Sequence, residues 1–509
     1  MSGWKYAFSL SNEDVDNANP PGTADLIDRR DAELEDGKGT SRSHQLEVAH
    51  PIRSADPADP LNWPTWRKAA VLAIASLYAF VANFVSASPA PALQIWNRTF
   101  REQRSYPELT YFIAVNVLFL GASNILWVPL SNWMGRRPVL LVATLVMTLC
   151  TAWCGLARSY DSLLAARIFQ GIGAGAADTV APALIGDVFS MDHRGRAMAV
   201  YTVSLTIGPI VGGISGGYIA YQLGWVYIFW VGTALAAACF IGVALLMPET
   251  LYIGAQEHPS TRAYQPFTFA QGVGFGPLHG NLLRHFFQPW KSLALPGTWV
   301  VMLHYAGLIG GIVTVSIVGP QLVAMPPYLW QSNAGLINVG GLVGAAIGYG
   351  YTHLLSDSRL QARAKHGGRR VAEPEDRLPT MFLPLAVTTG GFFVFGFCAQ
   401  HPGQNRWVGL EVGYSMLAFG LAQIPSIGFN YLIDSYSHLA ADCFVSVTIL
   451  RSVIAFAWTF FVSHWVEDRG AAEPFGIFGM LMGLFSLTAV PLCWYGKRMR
   501  IATASHFET

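Results

Sequence analysis

Twelve apolar stretches, each long enough to cross a lipid bilayer, run along most of this chain. A hydrocarbon core of about 30 Å requires roughly 20 apolar residues in a helix. Because lipid leaves backbone polar groups to be satisfied internally, the pattern predicts an all-α polytopic membrane protein with twelve transmembrane helices. The stretches cover residues 70–93, 110–130, 139–157, 162–187, 197–222, 226–247, 297–323, 333–354, 381–399, 407–431, 442–465 and 474–495.

Composition excludes several other classes of protein. Hydrophobic residues make up 52% of the 509 positions and charged residues only 12%, which is not the balance of a soluble globular chain. The six cysteines lie in or beside apolar stretches without metal-ligand spacing, so we predict small buried side chains and no metal site. The sequence has no P-loop with its lysine and no nucleophile motif. We therefore expect neither an enzyme nor a nucleic-acid partner.

The distribution of basic residues predicts the orientation. With the N-terminus inside, 24 of the 32 lysine and arginine residues fall in cytoplasmic segments and 6 in external loops. The positive-inside rule then places both termini in the cytosol, and we expect a multi-pass protein of the plasma membrane. No cleavable signal peptide precedes the first apolar stretch. Asn97 opens an Asn-Arg-Thr sequon in the first external loop and is a candidate glycosylation site.

Composition also divides the chain into segments. The first segment contains many acidic, proline, glycine and serine residues and is predicted to be a disordered cytoplasmic tail. Leu-Ser-Asn and Leu-Ser-Asp occupy equivalent ends of the second and eighth stretches, which indicates a duplicated unit. The predicted order is a tail over 1–66, a six-helix bundle over 67–248, a cytoplasmic connection over 249–296, a second six-helix bundle over 297–496 and a cytoplasmic tail over 497–509.

Three motifs in order resemble those of the major facilitator superfamily: the loop 128–137, the segment 167–173 and the Gly-Pro segment 208–213. The segments 59–64, 248–251 and 373–378 resemble fungal members of its twelve-helix drug:proton antiporter group, including its polyamine and cation branch. The resemblance covers essentially everything after residue 56. It implies the major facilitator fold, a small-molecule substrate, and a proton gradient rather than a cofactor as the energy source.

Two ionisable residues in the fourth stretch, Arg167 and Asp178, are the main candidates for proton coupling. A charge at the centre of a membrane helix costs roughly 2.5–3.5 kcal/mol. Eleven residues of helix return to nearly the same face, so we predict a polar stripe along the central cavity, with Asp178 as the proton-carrying acid. The resemblance implicates Arg167 in proton coupling. Alternatively, both residues bond to neighbouring helices and hold the bundle together.

Glycines in the fifth stretch recur every four residues and leave one helix face without side chains. A second ladder in the eighth stretch, Gly340, Gly344 and Gly348, has the same period, and we predict that the two ladders face each other across the halves. The resemblance associates the Gly-Pro motif with antiporters and so favours export, although tight packing alone explains such ladders. The motif consists of Gly208, Pro209, Gly212, Gly213, Gly216 and Gly217.

The short loop after the second stretch is predicted to latch helices on the cytosolic side. Arg136 is expected to pair with Asp187, and Arg137 lies beside it. Asn132 departs from the family, which usually has aspartate there, and supplies no charge to the dipole of helix eleven. Asp357 is then expected to carry more of the gating. The two arginines are alternatively topology anchors. Asp434 is either a further latch or a solvated helix end.

Other polar residues in the stretches are candidates for the central cavity. His304 titrates near neutrality if unperturbed, although a hydrogen-bonded bundle histidine is the alternative. Arg451 is the second charge within a stretch and is expected to face protein or the cavity. The remaining cavity candidates are Asn83, Asn116, Asn124, Tyr305, Gln423 and Asn430.

Three functions are consistent with these features. The first is proton-coupled export of a small, partly apolar compound by a monomer in the lipid bilayer, through alternating access of the two bundles. The second is proton-coupled uptake of a cationic metabolite such as a polyamine, which requires an unpaired acid at Asp178. The third is a nutrient sensor that binds without transporting.

Overall fold

A computed structural model describes residues 4–11, 15, 18, 24–28, 46–48, 59–93, 95–96, 106–189, 191–250, 282–351, 371–436 and 439–503. Among these residues, twelve helical segments are long and apolar enough to cross a membrane, which confirms the predicted number. We number them spans one to twelve. They are Thr65–Ala92, Glu108–Met134, Arg136–Leu156, Tyr160–Val188, His193–Gln222, Val226–Leu246, Pro296–Ala324, Gln331–Tyr351, Pro374–Gln400, Trp407–Ser435, Asp442–Arg469 and Ala472–Thr503.

Breaks and short 3₁₀ turns interrupt several spans. The α-helices are Trp4–Ser9, Thr65–Ala87, Tyr106–Ala122, Asn124–Met134, Arg136–Leu156, Tyr160–Gly175, Val180–Val188, Met191–Gln222, Val226–Leu246, Leu282–Lys291, Pro296–Ala324, Phe382–Gln400, Trp407–Ser435, Ala440–Arg469, Ala472–Leu487 and Ala489–Thr503. Residues 339–351 are also helical. The 3₁₀ helices are Pro60–Asn62, Ala90–Ala92, Ser292–Ala294, Gln331–Asn338 and Pro374–Met381.

The packing of the spans shows the duplication. Spans one and five, three and four, and three and six pack together in the first half. The equivalent pairs in the second half are seven and eleven, nine and ten, and nine and twelve, and they pack in the same way. The halves meet where span two contacts span eleven and where span five contacts spans eight and ten. This is the arrangement of two pseudo-symmetric six-helix bundles that the sequence predicted.

Burial separates the inner spans from the outer ones. In the most apolar window of each span, spans four, seven and ten have 78, 78 and 94% of residues buried. The corresponding values for spans three, six, nine and twelve are 44, 33, 44 and 33%. A helix that is buried all round lies in the centre of a bundle, whereas a half-buried apolar helix faces lipid. Any polar group that the protein uses in its interior is therefore expected on spans four, seven and ten.

Some details outside the membrane differ from the sequence prediction. Three short strands, Ala24–Asp28, Leu46–Val48 and Val371–Ala372, form an antiparallel sheet with the first strand in the middle. Helix Trp4–Ser9 also lies in the tail that was predicted to be disordered, and Phe8 contacts the ring of Tyr495. The last helix continues to Thr503, so the predicted tail from residue 497 begins within it. Asn97 and Asp357 lie outside the described residues.

Candidate functional site

The spans cross the bundle in alternating directions, so the connections fall at two ends. One end carries the connections between spans two and three, four and five, six and seven, eight and nine, and ten and eleven. We call it the even-loop end. The opposite end is the odd-loop end. The distribution of basic residues predicts that the even-loop end is cytosolic.

Arg167 lies in the middle of the first bundle and is 0% exposed. Its Nε donates to the carbonyl of Phe112 at 3.0 Å, and its Nη1 and Nη2 donate to the carbonyls of Val85 and Ser86 at 2.8 and 2.7 Å. A further Nη1 bond, of 2.5 Å, reaches Oε1 of Gln170. The guanidinium thus joins spans one, two and four through backbone acceptors. The sequence predicted that Arg167 faces the central cavity, but its side chain is fully buried among these acceptors. Its geometry is that of the structural alternative.

Span four is interrupted by a short turn that contains Asp178. Its first helix ends at Gly175 and its second begins at Val180, and the Asp178 backbone N–H donates to the Gly175 carbonyl at 3.1 Å. The prediction that Arg167 and Asp178 share a face assumed an unbroken helix of 3.6 residues per turn. Because Asp178 lies in the turn and not on the helix that carries Arg167, the two side chains reach different partners and the predicted continuous polar stripe is not formed.

Asp178 instead pairs with a charge from the other half of the protein. Its Oδ2 accepts a hydrogen bond from Nη2 of Arg451 in span eleven, and the two side chains are only 3 and 4% exposed. Arg451 Nη1 donates to the Tyr305 hydroxyl at 3.2 Å, and its guanidinium lies 5.0 Å from the centre of that ring. An acid on the first half is therefore paired with a base on the second, and that base also contacts a tyrosine of its own half, in the even-loop part of the interface.

Most of the other cavity candidates bond within their own half. Asn116 Nδ2 donates to the Arg167 carbonyl at 2.9 Å, and Asn124 Oδ1 accepts from the Thr179 hydroxyl. His304 Nε2 lies 2.8 Å from the Phe485 carbonyl and 3.2 Å from the Thr488 hydroxyl, both on span twelve. His304 is thus a hydrogen-bonded histidine within the bundle, which was the alternative to a titrating residue of the cavity.

The remaining candidates belong to spans one and ten. Asn83 Nδ2 donates to the Ala79 carbonyl one turn earlier, at 3.0 Å. Gln423 Nε2 donates to the Gly348 carbonyl and so ties span ten to span eight. Asn430 is buried in span ten. Among the described candidates, Tyr305 and Asp178 are thus brought together, and both contact Arg451.

The predicted ion pair between Arg136 and Asp187 is present, with 3.4 Å between Nε and Oδ2. Arg136 Nη1 also donates to Oδ1 of Asn132 at 2.8 Å. The neutral asparagine therefore bonds the arginine of its own loop. These contacts join spans two, three and four, all in the first half, so they stabilise that half rather than bridge the two.

Glu249 binds the backbone of the short connection between spans two and three. Its carboxylate accepts the backbone N–H groups of Arg136 and Arg137 at 2.9 and 3.1 Å, at the start of span three. An acid there satisfies the exposed N–H groups and complements the helix dipole. Gly135, just before it, has a φ of 101°, which favours glycine. Arg137 Nη2 donates to the Ala244 carbonyl at 2.7 Å, so spans three and six are fastened at this end.

The second half fastens its equivalent spans with the charges reversed. Arg500, near the end of span twelve, donates to Glu373 at 2.5 Å and to Glu375 at 2.6 Å. Lys497 Nζ lies 2.7 Å from Glu373. The two acids come just before and within the start of span nine. A carboxylate from span six's end thus holds span three, whereas bases from span twelve hold span nine.

Asp434 is not a solvated helix end, because its buried carboxylate contacts a base from each half. Its Oδ2 lies 3.4 Å from Nε of Arg377, and its Oδ1 lies 3.8 Å from Nη1 of Arg194 on span five. The carboxylate is only 10% exposed. The Asp434–Arg194 and Asp178–Arg451 pairs thus join the two halves by charge in the even-loop part of the interface.

The glycine ladders pack differently from the prediction. A Cβ at Gly208 or Gly212 would lie 2.6 or 2.7 Å from the carbonyl oxygens of Phe80 or Phe84, so this ladder faces span one. Gly340, Gly344 and Gly348 face span ten in the same manner. The predicted contact between the two ladders is therefore wrong. Each ladder lets the backbone of a neighbouring helix in its own half approach closely, because the glycines have no side chains in the way.

A different glycine contact crosses the halves at the odd-loop end. A Cβ at Gly335 would lie 2.6 Å from the Gly213 carbonyl oxygen and 3.0 Å from that of Ile214. A Cβ at Gly217 would lie 3.2 Å from the Gly335 Cα. In a separate contact between the halves, the rings of Tyr111 on span two and Phe460 on span eleven stack with centroids 4.9 Å apart. The halves therefore touch at both ends of the interface.

We expect Gly335→Val to separate the halves at the odd-loop end, because overpacking of this kind costs about 1–3 kcal/mol. Spin labels on cysteines placed at Tyr221 and Asn333, in a background without the native cysteines, will report a longer distance. The matched control is Gly350→Val in the same span, where a Cβ meets nothing within 4 Å. An unchanged distance distribution in Gly335→Val would show that this contact does not hold the halves together.

Sequence reasoning missed several charged residues that the structure makes important. Arg194 and Arg377 begin spans five and nine at the even-loop end, and both reach Asp434. Glu411 lies within span ten and accepts from the Gly340 backbone N–H at the start of the helical part of span eight. The signal in the sequence was an acid inside an apolar span for Glu411 and, for the arginines, a basic residue just before a predicted apolar stretch.

Comparison with known proteins agrees with the fold. The family profile described as Major Facilitator Superfamily matches residues 72–459. The efflux pump radE of Floropilus chiversii is 25% identical, over 87% of this chain and 83% of its own. The multidrug transporter TPO1_1 of Candida glabrata is also 25% identical, over 87% and 78%. Among solved structures, the proton:xylose symporter XylE has a TM-score of 0.58 at 16% identity, covering 85% of this chain and 96% of that one.

Proposed function

Because this multi-pass membrane protein belongs to the major facilitator superfamily of transporters, we propose that it exports a small, partly apolar compound in exchange for protons. The observation that carries the proposal is the buried pair of Asp178 and Arg451, one from each half. A buried carboxylate stays charged only while an opposite charge offsets its desolvation. Protonation of Asp178 would remove that attraction and leave Arg451 without its charge partner.

The pair connects proton binding to conformation. With Asp178 ionised, the pair holds spans four and eleven together and favours closure of the even-loop end. With Asp178 protonated, closure loses this stabilisation, and the halves separate more readily there. A proton shifts the equilibrium only by its differential affinity for the two states, and a pair formed in one state supplies that difference. Two such states, alternately open, are the basis of alternating access.

The direction of transport rests on the relatives. Their printed names include an efflux pump and a multidrug transporter, which supports export. Uptake of a cation was the competing proposal and required an unpaired acid at Asp178. That carboxylate is already occupied by Arg451, so a cationic substrate would have to displace an arginine. The geometry therefore supports export over this form of uptake.

We further propose a monomer in the plasma membrane with both termini cytoplasmic, powered by the proton gradient without a cofactor. The excess of basic residues at the even-loop end supports this orientation. The paired charges within each half, at Glu249 and at Arg500, support movement of the halves as rigid units.

Flux measurements test the proposal. The purified protein is placed in proteoliposomes and screened against small apolar and amphipathic compounds. We expect it to move one of them against its concentration gradient when a pH gradient is imposed. A proton-coupled exchanger should lose concentrative flux when a protonophore collapses the gradient. Flux that ignores the gradient would indicate a facilitator, binding without flux would indicate a sensor, and co-movement of substrate with protons would indicate a symporter. Each of these three results would refute the proposed exchange.

A further inference from the structure

A short helix before span seven has an unusual surface. In Leu282–Lys291 the side chains of Leu283, Phe287 and Trp290 are 66, 65 and 51% exposed. Positions three and four residues apart lie on one face of a helix, so these three form an exposed apolar strip. Arg284 and Lys291, one position further along, are exposed on the adjacent side. A helix with this division lies in the plane of a membrane surface.

The helix is fixed to both halves of the protein. It packs against Asn124–Met134 of span two and against Ala440–Arg469 of span eleven. Behind its last turn, the Ser292 hydroxyl donates to the Pro289 carbonyl at 2.6 Å and lies 2.8 Å from the Ser446 hydroxyl. The helix is therefore held at a defined depth, next to the even-loop ends of spans seven and eleven.

Between this helix and spans two, seven and eleven runs an apolar groove with a volume of about 220 Å³. Its walls include Ile125, Pro289, Trp290, Met302, Ile449 and Val453. Trp290 and Val453 are 51 and 45% exposed, so the groove opens on the outer surface of the bundle. Spans in a bilayer have lipid as their solvent, and an apolar groove on their outer surface is filled by hydrocarbon.

Charge at the mouth of the groove indicates the head group. Arg284 and Lys291 are exposed on the side of this helix that adjoins its apolar strip, where a helix lying in a membrane surface meets the lipid head groups. Trp290 and Trp299 flank the groove, and tryptophan prefers this interface region. Basic residues beside an amphipathic helix attract anionic lipids. We propose that the groove binds one acyl chain of an anionic phospholipid, with its head group held by Arg284 and Lys291.

Photolabelling tests this lipid site independently of transport. The full-length protein is placed in nanodiscs that contain a trace of phosphatidylserine with a diazirine in its acyl chain, or the same probe on phosphatidylcholine. We expect labels concentrated in residues 282–302 and 445–453, with the phosphatidylserine probe favoured about fivefold. Labels spread evenly over the lipid-facing surfaces of spans three, six and twelve would overturn the proposal, as would equal labelling by the two probes.

Two sets of variants separate the chain site from the head-group site. Ile449→Trp should fill the groove and reduce its labelling, whereas Leu149→Trp on the lipid-facing side of span three should not. Arg284→Gln with Lys291→Gln should remove the preference for phosphatidylserine. The charge-matched control replaces Arg158 and Arg469, both exposed, with glutamine. If an exported compound displaces the probe at its transport concentration, the groove is a substrate entrance and the lipid assignment is wrong.

Discussion

Replacing Asp178 with asparagine is expected to abolish flux driven by a pH gradient, with a loss of more than tenfold. The asparagine is isosteric but carries no charge and no titratable proton. It also leaves Arg451 buried without its charge partner, and breaking a buried pair from one side costs about 3–5 kcal/mol. The free energy of unfolding and the melting temperature should therefore fall together with the flux.

The double variant Asp178→Asn with Arg451→Gln distinguishes coupling from stability. Removing both charges should restore most of the melting temperature, because no unpaired charge remains. Flux driven by the pH gradient should stay low, because the titratable group is still absent. Asp161→Asn, an exposed acid at the start of span four, is the matched control and should behave like the unmodified protein. Gradient-driven flux that survives in Asp178→Asn would transfer the coupling role to another acid.

Replacing Arg167 with glutamine is expected to unfold the first half or to lower its melting temperature strongly. The guanidinium donates to three backbone carbonyls on spans one and two. Hydrogen bonds to charged groups contribute about 1.5–3 kcal/mol each, so the loss of three amounts to several kcal/mol. Arg167→Lys keeps the charge without the planar fork and should recover only part of that stability.

The effect is measured as the yield of monodisperse protein and its melting temperature in detergent. Arg158→Gln, at an exposed position before the same span, should change neither. If Arg167→Gln folds normally and loses only the pH dependence of flux, Arg167 acts in proton coupling, as its resemblance to the family motif implies, and the structural assignment is wrong.

The sequence was sufficient for the spans and their duplication, because a bilayer imposes a length and a hydrophobicity that each helix must satisfy. The pairing of Arg136 with Asp187 was also predictable, since Arg136 begins span three and Asp187 lies near the end of span four, at the same end of the bundle. The partners of Arg167 were not, because they are backbone carbonyls, which every residue carries. Periodicity failed at Asp178 because the turn between Gly175 and Val180 interrupts the helix on which the argument depended.

The contact between Asp178 and Arg451 shows a second limit. These residues are separated by 273 positions and meet only because the two halves close on each other. The glycine ladders also show that sequence spacing does not identify a tertiary partner. Their spacing correctly indicated close helix approach, but spacing does not name the neighbouring helix, and spans one and ten were the partners.

The reversed charges at Glu249 and Arg500 bear on how such duplicated proteins diverge. In both halves a charged joint ties the third helix of the repeat to the sixth, yet the acid and the base have exchanged places. Residue identity at these points therefore does not reveal the duplication, because an acid holds one joint and bases hold the other. The duplication is instead preserved in the pattern of helix contacts. It is recognised by comparing which helices are joined rather than which residues are identical.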